Sequence, residues 1–392
     1  MPKNEPTWNL PDGLFDRLVS LRRDIHRHPE LSFEEHRTSA RVASELQDIG
    51  LSPIRDVAGT GVIADIEGKE GGPTVVLRAD LDALPIEEDT GLPYASEVPG
   101  VMHACAHDGH TATVLGAGAL LLRDPPQGKV RLLFQPAEER GNGAKVVCDE
   151  GHLDGVDAIF GIHVDPFQPT GIIQVQEGPV AASTRSFRIT LTGKGGHAAR
   201  PHQGVDAVVA GARLVDALQG IVAREISPAQ PAVVTVGRFS AGTRHNVLAG
   251  KAEMEGTIRC FDREVEASIR EAIVRIAEAV SRAHRATAEV GFGEGCPAVI
   301  NDRRMTHIAS QAAATVVGSD RVIGFNEPNM GGEDFSFYLD HAPGCYVRLG
   351  AGVTDTNIVP AHSARFVWDE RTMAVGARYL EAVARAAITE LR

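Results

Sequence analysis

The sequence is short of cysteines and of long hydrophobic runs, and each shortage excludes a class of protein. It contains five cysteines in 392 residues, an odd and scattered set that fits reduced thiols rather than a disulfide framework. The longest apolar run, 112–122, is too short to span a bilayer. The stretch 1–6 lacks the apolar core of a signal peptide. We therefore expect a cytoplasmic protein that does not enter a membrane.

Positive charge is also scarce. The chain has 39 lysines and arginines against 52 aspartates and glutamates, a formal net charge of -13, which argues against nucleic acid and anionic membranes as partners. It contains no repeat and no low-complexity tract. With 43% hydrophobic and 23% charged residues, it has the composition of a soluble globular protein. Its length favours two domains over one core.

One short stretch, 101–110, concentrates the groups that carry chemistry. It holds a thiol, a carboxylate and three imidazoles, namely Cys105, Asp108, His103, His107 and His110. A helical pattern at 111–122 follows at once, and Asp108 stands where a helix N-cap is expected. A buried cysteine beside solvated histidines is the ordinary interpretation of such residues. This density of donors at a helix start favours a metal site instead.

In the first and last parts of the chain, strands alternate with helices. Apolar strands are predicted at 73–78, 129–134, 158–162 and 345–349. This alternation is typical of a largely parallel α/β sheet, in which ligands bind beyond the carboxyl ends of the strands. The polar residues that follow three of these strands are Asp80, Asp82, Glu138, Glu139 and His163. We therefore expect a site at this edge of the sheet.

Between these two parts, the order of the elements changes to β-α-β-β-α-β. The predicted elements are strands at 186–192, 232–239, 251–260 and 287–292, and helices at 205–223 and 263–285. This is the order of a ferredoxin-like sandwich. The sequence thus predicts a ferredoxin-like domain at 185–296, inserted into an α/β domain of 1–184 and 297–392. A substrate would bind in the crevice between the two domains.

Thiolate, imidazole and carboxylate donors together suit Zn²⁺, Co²⁺, Ni²⁺ or Mn²⁺ rather than Ca²⁺ or Mg²⁺. The candidate donors are Cys105, His107, Glu139, His163 and His362. This set exceeds one tetrahedral structural site, so we infer two ions, bridged by the thiolate or by a water. Such a pair lowers the pKa of a bound water and polarises a carbonyl oxygen, which equips a site for hydrolysis. Of the adjacent pair Glu138 and Glu139, one can bind metal while the other acts as general base.

Several motifs, in one order along the chain, resemble the metallo-amidohydrolases that include hippurate hydrolase, N-acyl-L-amino-acid amidohydrolase and auxin-conjugate hydrolase, within the aminoacylase–carboxypeptidase superfamily. The longest are RADLDALPI at 78–86, MHACAHDGH at 102–110, FQPAEE at 134–139 and GKGGHAA at 193–199. HRHPELS at 26–32 and GEDFS at 332–336 match as well. The resemblance runs from about residue 14 to the C-terminus.

This resemblance implies a role for each candidate residue. The ligands of two divalent ions, Mn²⁺ or Zn²⁺ with Co²⁺ or Ni²⁺ as alternatives, would be Cys105, His107, Glu139, His163 and His362. Glu138 would be the general base, and Asp82 would hold an active-site group in place. His197 would stabilise the oxyanion, often across a dimer. Asn246 and Arg259 would contact the substrate. The inserted domain would serve as lid and dimerisation surface of a homodimer.

The expected activity is hydrolysis of the amide bond of an N-acyl amino acid, such as an N-acetyl or N-benzoyl conjugate. A dipeptidase or carboxypeptidase could use the same dinuclear site. A metal-dependent binding protein without turnover is a third alternative, although it would have no need of Glu138. A thiol hydrolase with Cys105 as nucleophile is a fourth.

Two positions depart from the family pattern. Ala106 stands where a glycine is usual, and a positive φ there would cost alanine about 1 kcal/mol or reshape the loop. Ala249 stands where a proline is usual, which loosens a loop near the expected substrate position. Neither change removes a ligand.

Overall fold

The structure is a computed structural model that describes residues 8–68, 71–325, 327–353 and 358–392. In chain order, the strands of this part are β1 (Ile54–Val57), β2 (Gly61–Glu67), β3 (Thr74–Asp80), β4 (Lys129–Gln135), β5 (Ala158–Pro169), β6 (Ile173–Gln174), β7 (Gly178–Ala181), β8 (Ser183–Thr192), β9 (Gly196–His197), β10 (Ala232–Ala241), β11 (Val247–Leu248), β12 (Lys251–Cys260), β13 (Thr287–Phe292), β14 (Val299–Asn301), β15 (Val322–Ile323) and β16 (Gly344–Gly352). The α-helices are α1 (Leu14–Arg27), α2 (His36–Asp48), α3 (His107–Arg123), α4 (Gly143–Asp149), α5 (Ala207–Gly220), α6 (Arg263–Ala283), α7 (Arg303–Val317) and α8 (Thr372–Leu391). None of these helices is long and apolar enough to cross a membrane.

The chain divides into two compact units. Unit 1 consists of Met1–Val180, Ile300–Glu327 and Asp334–Arg392, and unit 2 consists of Ala181–Val299 and Pro328–Glu333. We propose that these two units correspond to the two domains expected from the sequence.

Unit 1 is built on an eight-stranded sheet in the order β1-β2-β4-β3-β5-β16-β6-β15. Its central strands are parallel, since β3 pairs in parallel with β4 and β5, and β5 pairs in parallel with β16. Successive residues Val75, Val76 and Leu77 of β3 are all fully buried, so both faces of the sheet are covered at its centre. The mixed, largely parallel α/β architecture predicted from the sequence is confirmed.

Helix α3 brings the donor-rich stretch to the sheet. It is buried on all sides and packs against α1 and α8. A Cβ atom at Gly109, in its first turn, would lie 2.2 Å from the Trp368 ring. Only glycine therefore lets this turn approach Trp368 so closely. This packing fixes the position of the first turn of α3, which carries His107.

Unit 2 contains an antiparallel four-stranded sheet in the order β10-β12-β8-β13. The strands β8, β10, β12 and β13 and the helices α5 and α6 follow one another as β-α-β-β-α-β, the order predicted from the sequence. Inward-facing residues of β8, Phe187, Ile189 and Leu191, form the core of this unit together with the helices. β10 lies at one edge of the sheet.

Two local expectations are wrong. Asp108 is not the N-cap of α3, because the helix begins at His107 and Ala106 precedes it with φ 63° and ψ 21°. The Asp108 carboxylate instead contacts Arg22 and His26, at 2.7 and 2.9 Å. Likewise, β5 does not end at His163 but continues to Pro169, because β16 pairs with it from Ile159 to Asp165 and again at Pro169.

Candidate metal centre

His107 presents one ring nitrogen that makes no hydrogen bond within the described part of the chain. Its Nδ1 lies 2.8 Å from the backbone oxygen of Asp82, which can only accept, so Nδ1 carries the proton and Nε2 is the atom able to bind a metal. Nε2 is buried and makes no hydrogen bond to the part of the chain that the structure describes. A buried polar atom without a partner is costly. His107 therefore fits a metal ligand.

His163 is oriented in the same way. Its Nδ1 donates to the backbone oxygen of Val164 at 2.7 Å, and its Nε2 lies 3.3 Å from Sγ of Cys105. Burial lowers the pKa of His163, which favours the neutral, metal-binding ring.

Cys105 lies in the loop that leads into α3 and is 8% exposed. Burial, and then the negative charge of Glu139, raise the pKa of the Cys105 thiol well above its usual range. A thiolate at this position therefore needs a cation beside it. The thiol-hydrolase alternative stays open, because a protonated histidine beside Cys105 could also stabilise a thiolate.

Asp82 holds the two glutamates that follow β4. The backbone amides of Glu138 and Glu139 donate to its Oδ1 and Oδ2 at 3.1 and 3.0 Å. The Ser32 hydroxyl donates to Oδ2 at 2.6 Å. Burial opposes ionisation of Asp82, but the bond from His107 and these donors lower its pKa. Asp82 is thus a buried carboxylate that anchors residues from α3 and from the turn after β4.

The candidate donors form two groups that share one atom. Cys105, His107 and His163 place their ligand atoms within 4.8 Å of one another, and Cys105, Glu139 and His362 do the same. Nε2 of His362 lies 3.5 Å from Oε1 of Glu139. The structure therefore brings all five predicted ligands together, with Cys105 common to both groups.

Glu138 stands beside these groups. Its Oε2 lies 4.0 Å from Nε2 of His107, and His107, Glu138 and Glu139 form a third cluster of close ligand atoms. A carboxylate this near to two groups of donors can take a proton from a water held there.

His110, which belongs to the same motif, is engaged elsewhere. Its Nδ1 donates to Oδ1 of Asp80 at 2.7 Å, and its Nε2 accepts the Val164 amide at 3.1 Å. With both nitrogens in use, it is not available to a metal. It holds the backbone next to His163, which fits the structural interpretation of this histidine, whereas the supporting role of Ser32 was not predicted. The HRHPELS motif contains Ser32 and was the only sequence signal for that residue.

The predicted substrate residues lie in unit 2. His197 pairs with Val247 across β9 and β11, and the Ala198 amide donates to the Asn246 oxygen at 3.1 Å. His197 and Asn246 are therefore neighbours, and both are exposed. Arg259 lies on β12 and pairs with Thr184 of β8.

Residues 76–386 match peptidase family M20/M25/M40. The chain belongs to this family. The matched range contains all five predicted ligands and Glu138.

Individual relatives cover almost the whole chain. An N-acetylcysteine deacetylase of Bacillus subtilis (strain 168) is 43% identical over 372 residues, which is 94% of this chain and 96% of that protein. Thermostable carboxypeptidase 1 of Saccharolobus solfataricus is 39% identical over 369 residues, 92% of this chain and 93% of that protein. The crystal structure of the Bacillus subtilis YXEP protein, described as a dinuclear metal binding peptidase from the M20 family, matches with a TM-score of 0.86 at 38% identity, over 97% of this chain and 100% of that chain. The resemblance stated from the motifs is thereby confirmed.

Proposed function

We propose that this protein is a metal-dependent amidohydrolase that cleaves the amide bond of N-acyl amino acids and releases a carboxylate and a free amino acid. The observation that carries this proposal is the pair of donor groups that share Cys105, with Glu138 beside them. The relative named N-acetylcysteine deacetylase supports the substrate class.

Two divalent ions would be held by Cys105, His107, Glu139, His163 and His362. This donor set suits Mn²⁺ or Zn²⁺, and Co²⁺ or Ni²⁺ as alternatives. The description of the YXEP structure as dinuclear supports the number of ions. When bound, the ions would polarise the scissile carbonyl and make water acidic enough to react at neutral pH.

The proton is moved by Glu138. Its carboxylate would accept a proton from the attacking water and then deliver it to the leaving nitrogen. Asp82 keeps the backbone of Glu138 in place through the amide bond at 3.1 Å. Asp82 also holds His107, so the base and a ligand share one anchor.

His197 would stabilise the oxyanion. The Ala199 amide donates to Nδ1 of His197 at 3.1 Å, so the neutral ring carries its proton on Nε2. That proton is free to be donated to the negative charge that develops on the carbonyl oxygen. Asn246, which immediately precedes β11 and lies beside His197, and Arg259 would contact the substrate.

We further propose that unit 2 is a ferredoxin-like lid that joins two subunits into a homodimer. β10 is an edge strand, which is a template for pairing with another chain. Two of its apolar side chains, Val233 and Phe239, are 36% and 41% exposed, and Val208 and Val209 of α5 are 40% and 47% exposed. An exposed apolar surface beside an open edge favours association, and a partner subunit would then present His197. A cytoplasmic location is a prediction that the five free, buried cysteines support.

A carboxypeptidase is the second candidate, because the relative from Saccharolobus bears that name. The test is a panel of N-acetyl, N-benzoyl, N-lauroyl and indole-acetyl amino acids together with unblocked dipeptides, assayed after loading with each metal. We expect the highest kcat/KM on an N-acyl amino acid. A preference for dipeptides would favour the second candidate, and tight binding without turnover of any compound would indicate a binding protein. Retained turnover after thiol alkylation of the metal-loaded protein would exclude Cys105 as nucleophile.

A further inference from the structure

A second buried carboxylate, outside the metal-binding set, holds the turn that carries the two glutamates. Glu35 immediately precedes α2 and is fully buried. Its Oε1 accepts the backbone amide of Ala137 at 2.8 Å. Its Oε2 accepts the hydroxyl of Thr60. Glu35 therefore ties the turn after β4 to two segments that are distant from it in sequence.

The residue that Glu35 holds has an unfavourable backbone conformation. Ala137 has φ 55°, the left-handed region in which a Cβ atom is strained. The next two amides along the chain, those of Glu138 and Glu139, are bound by Asp82. Three successive amides are thus held by two buried carboxylates, and together they fix the backbone from which both glutamate side chains leave.

Keeping Glu35 at this position has an electrostatic cost. Burial raises the pKa of Glu35 above its ordinary value, against the hydrogen bond from Thr60. An apolar side chain of similar volume would avoid this cost, but it would leave the buried Ala137 amide without an acceptor. What glutamate provides at this position, and an apolar residue does not, is the oxygen that accepts the hydrogen bond from the Ala137 amide.

We propose that Glu35 is a positioning residue for the general base. By holding the Ala137 amide, it sets the direction in which the Glu138 side chain leaves the turn. The inference rests on the proposed function of Glu138 as base. Glu35 acts through the backbone of Ala137 and has no direct part in the chemistry.

Three variants separate positioning from simple stability. Glu35→Met fills the space but removes the acceptor. Glu35→Gln keeps an oxygen that can accept from Ala137, and its amide group can donate to the Thr60 hydroxyl. Glu34→Gln, at the exposed neighbouring position, is the matched control.

We expect Glu35→Met to lower kcat by about 10–100-fold, since misplacing a reacting group by about 1 Å has an effect of this size. KM should stay unchanged, and the metal content should stay close to that of wild type because the Glu139 amide keeps its bond to Asp82. Glu35→Gln should recover at least about a third of the wild-type kcat, because it keeps the hydrogen bond, and Glu34→Gln should match wild type. A fall in Tm or metal content in Glu35→Met, with unchanged kcat per metal-loaded protein, would show a merely structural role and overturn the proposal.

The decisive readout is the combination with Glu138→Gln. If Glu35 acts only through Glu138, adding Glu35→Met to Glu138→Gln should lower kcat by less than about threefold further, because the two residues work as a unit. If Glu35→Met lowers kcat in the Glu138→Gln background by as much as it does in the wild-type protein, the inference about Glu35 is wrong, while the assignment of Glu138 as base stands. Wild-type turnover in Glu138→Gln alone would instead overturn the proposed function. If Glu35→Met does not fold, Glu35→Asp takes its place. This change shortens the side chain by one methylene group and so moves the accepting oxygen away from the Ala137 amide. An unchanged kcat in Glu35→Asp would contradict the proposal.

Discussion

Nδ1 of His107 donates to the backbone oxygen of Asp82 across 2.8 Å, and Oδ1 of the same aspartate lies 3.3 Å from that nitrogen. The contact decides which ring nitrogen of His107 faces the other donors. Because the Asp82 carboxylate also binds the amides of Glu138 and Glu139, a single residue orders the proposed base and two proposed ligands.

Replacing Asp82 should therefore weaken metal binding. In Asp82→Asn, one end of the side chain becomes an N–H donor and can no longer accept from the turn after β4. We expect metal affinity to fall about 10–100-fold, as is usual when a group that orients ligands is lost. Competition with a coloured chelator measures this loss. Ser32→Ala, which removes only the hydroxyl bond to Asp82, should have a smaller effect, and equal affinity in Asp82→Asn and wild type would contradict the anchoring role.

Substitutions of the two adjacent glutamates should lower activity for different reasons. Glu138→Gln should keep its metal and lower kcat by roughly 10²–10⁴-fold, the usual contribution of a positioned acid or base. Glu139→Gln should lose metal occupancy. Elemental analysis and steady-state kinetics on the same samples separate the two effects. If they came out reversed, the assignment of base and ligand would be wrong.

His197 should act in the chemical step. Removing a hydrogen-bond donor to the oxyanion lowers kcat by about 10²–10³-fold, so His197→Ala should show this loss with unchanged metal content. His202→Ala is the matched control, since it removes another exposed histidine from the following turn of unit 2 and should leave kcat unchanged.

Presentation of His197 by a partner subunit predicts complementation. Mixing inactive His197→Ala with inactive Glu138→Gln, under conditions in which subunits exchange, should form dimers in which one site has both groups intact. Activity should return to a sizeable fraction of wild type. If exchange is demonstrated by labelled subunits and activity does not return, His197 acts within its own chain or has no catalytic role.

An ion pair outside the candidate metal centre should contribute to the stability of the fold in acid. Arg131 donates to both oxygens of Asp65 at 2.8 and 2.9 Å. Burial opposes ionisation, but these bonds lower the pKa of Asp65. A lowered folded-state pKa adds stability above the unfolded value of about 3.9, and this contribution is lost as pH falls through the folded-state pKa. We expect Asp65→Asn to lose about 1 kcal/mol at neutral pH and to converge with wild type in urea unfolding toward pH 2. A constant difference at all pH values would contradict this.

The position of the centre could be predicted from sequence because it depends on simple geometry. β3 and β4 are adjacent parallel strands, so Asp82 and Glu138, which follow them, had to lie close together. The donors of 101–110 were visible as a cluster in the sequence itself. For these residues, the sequence alone therefore indicates which side chains lie close together in the structure.

Other features depend on contacts between distant segments. β16 lies beside β5 in the sheet, although no periodicity in the sequence indicates this neighbour. The short strands β9 and β11, which place His197 beside Asn246, are too short to leave a pattern. From the sequence we could state only that a positive φ at Ala106 would be strained. The structure gives a φ of 63° there, so alanine bears a strain of about 1 kcal/mol that a glycine would avoid.

The central claim, hydrolysis at a two-metal centre, is tested most directly by turnover as a function of metal content. Metal-free protein, prepared with a chelator and checked by elemental analysis, would be titrated with Mn²⁺ or Zn²⁺ while hydrolysis of the preferred N-acyl amino acid is followed. We predict no turnover without metal and full restoration when two ions per subunit are bound. Full turnover in protein shown to be metal-free would contradict the account.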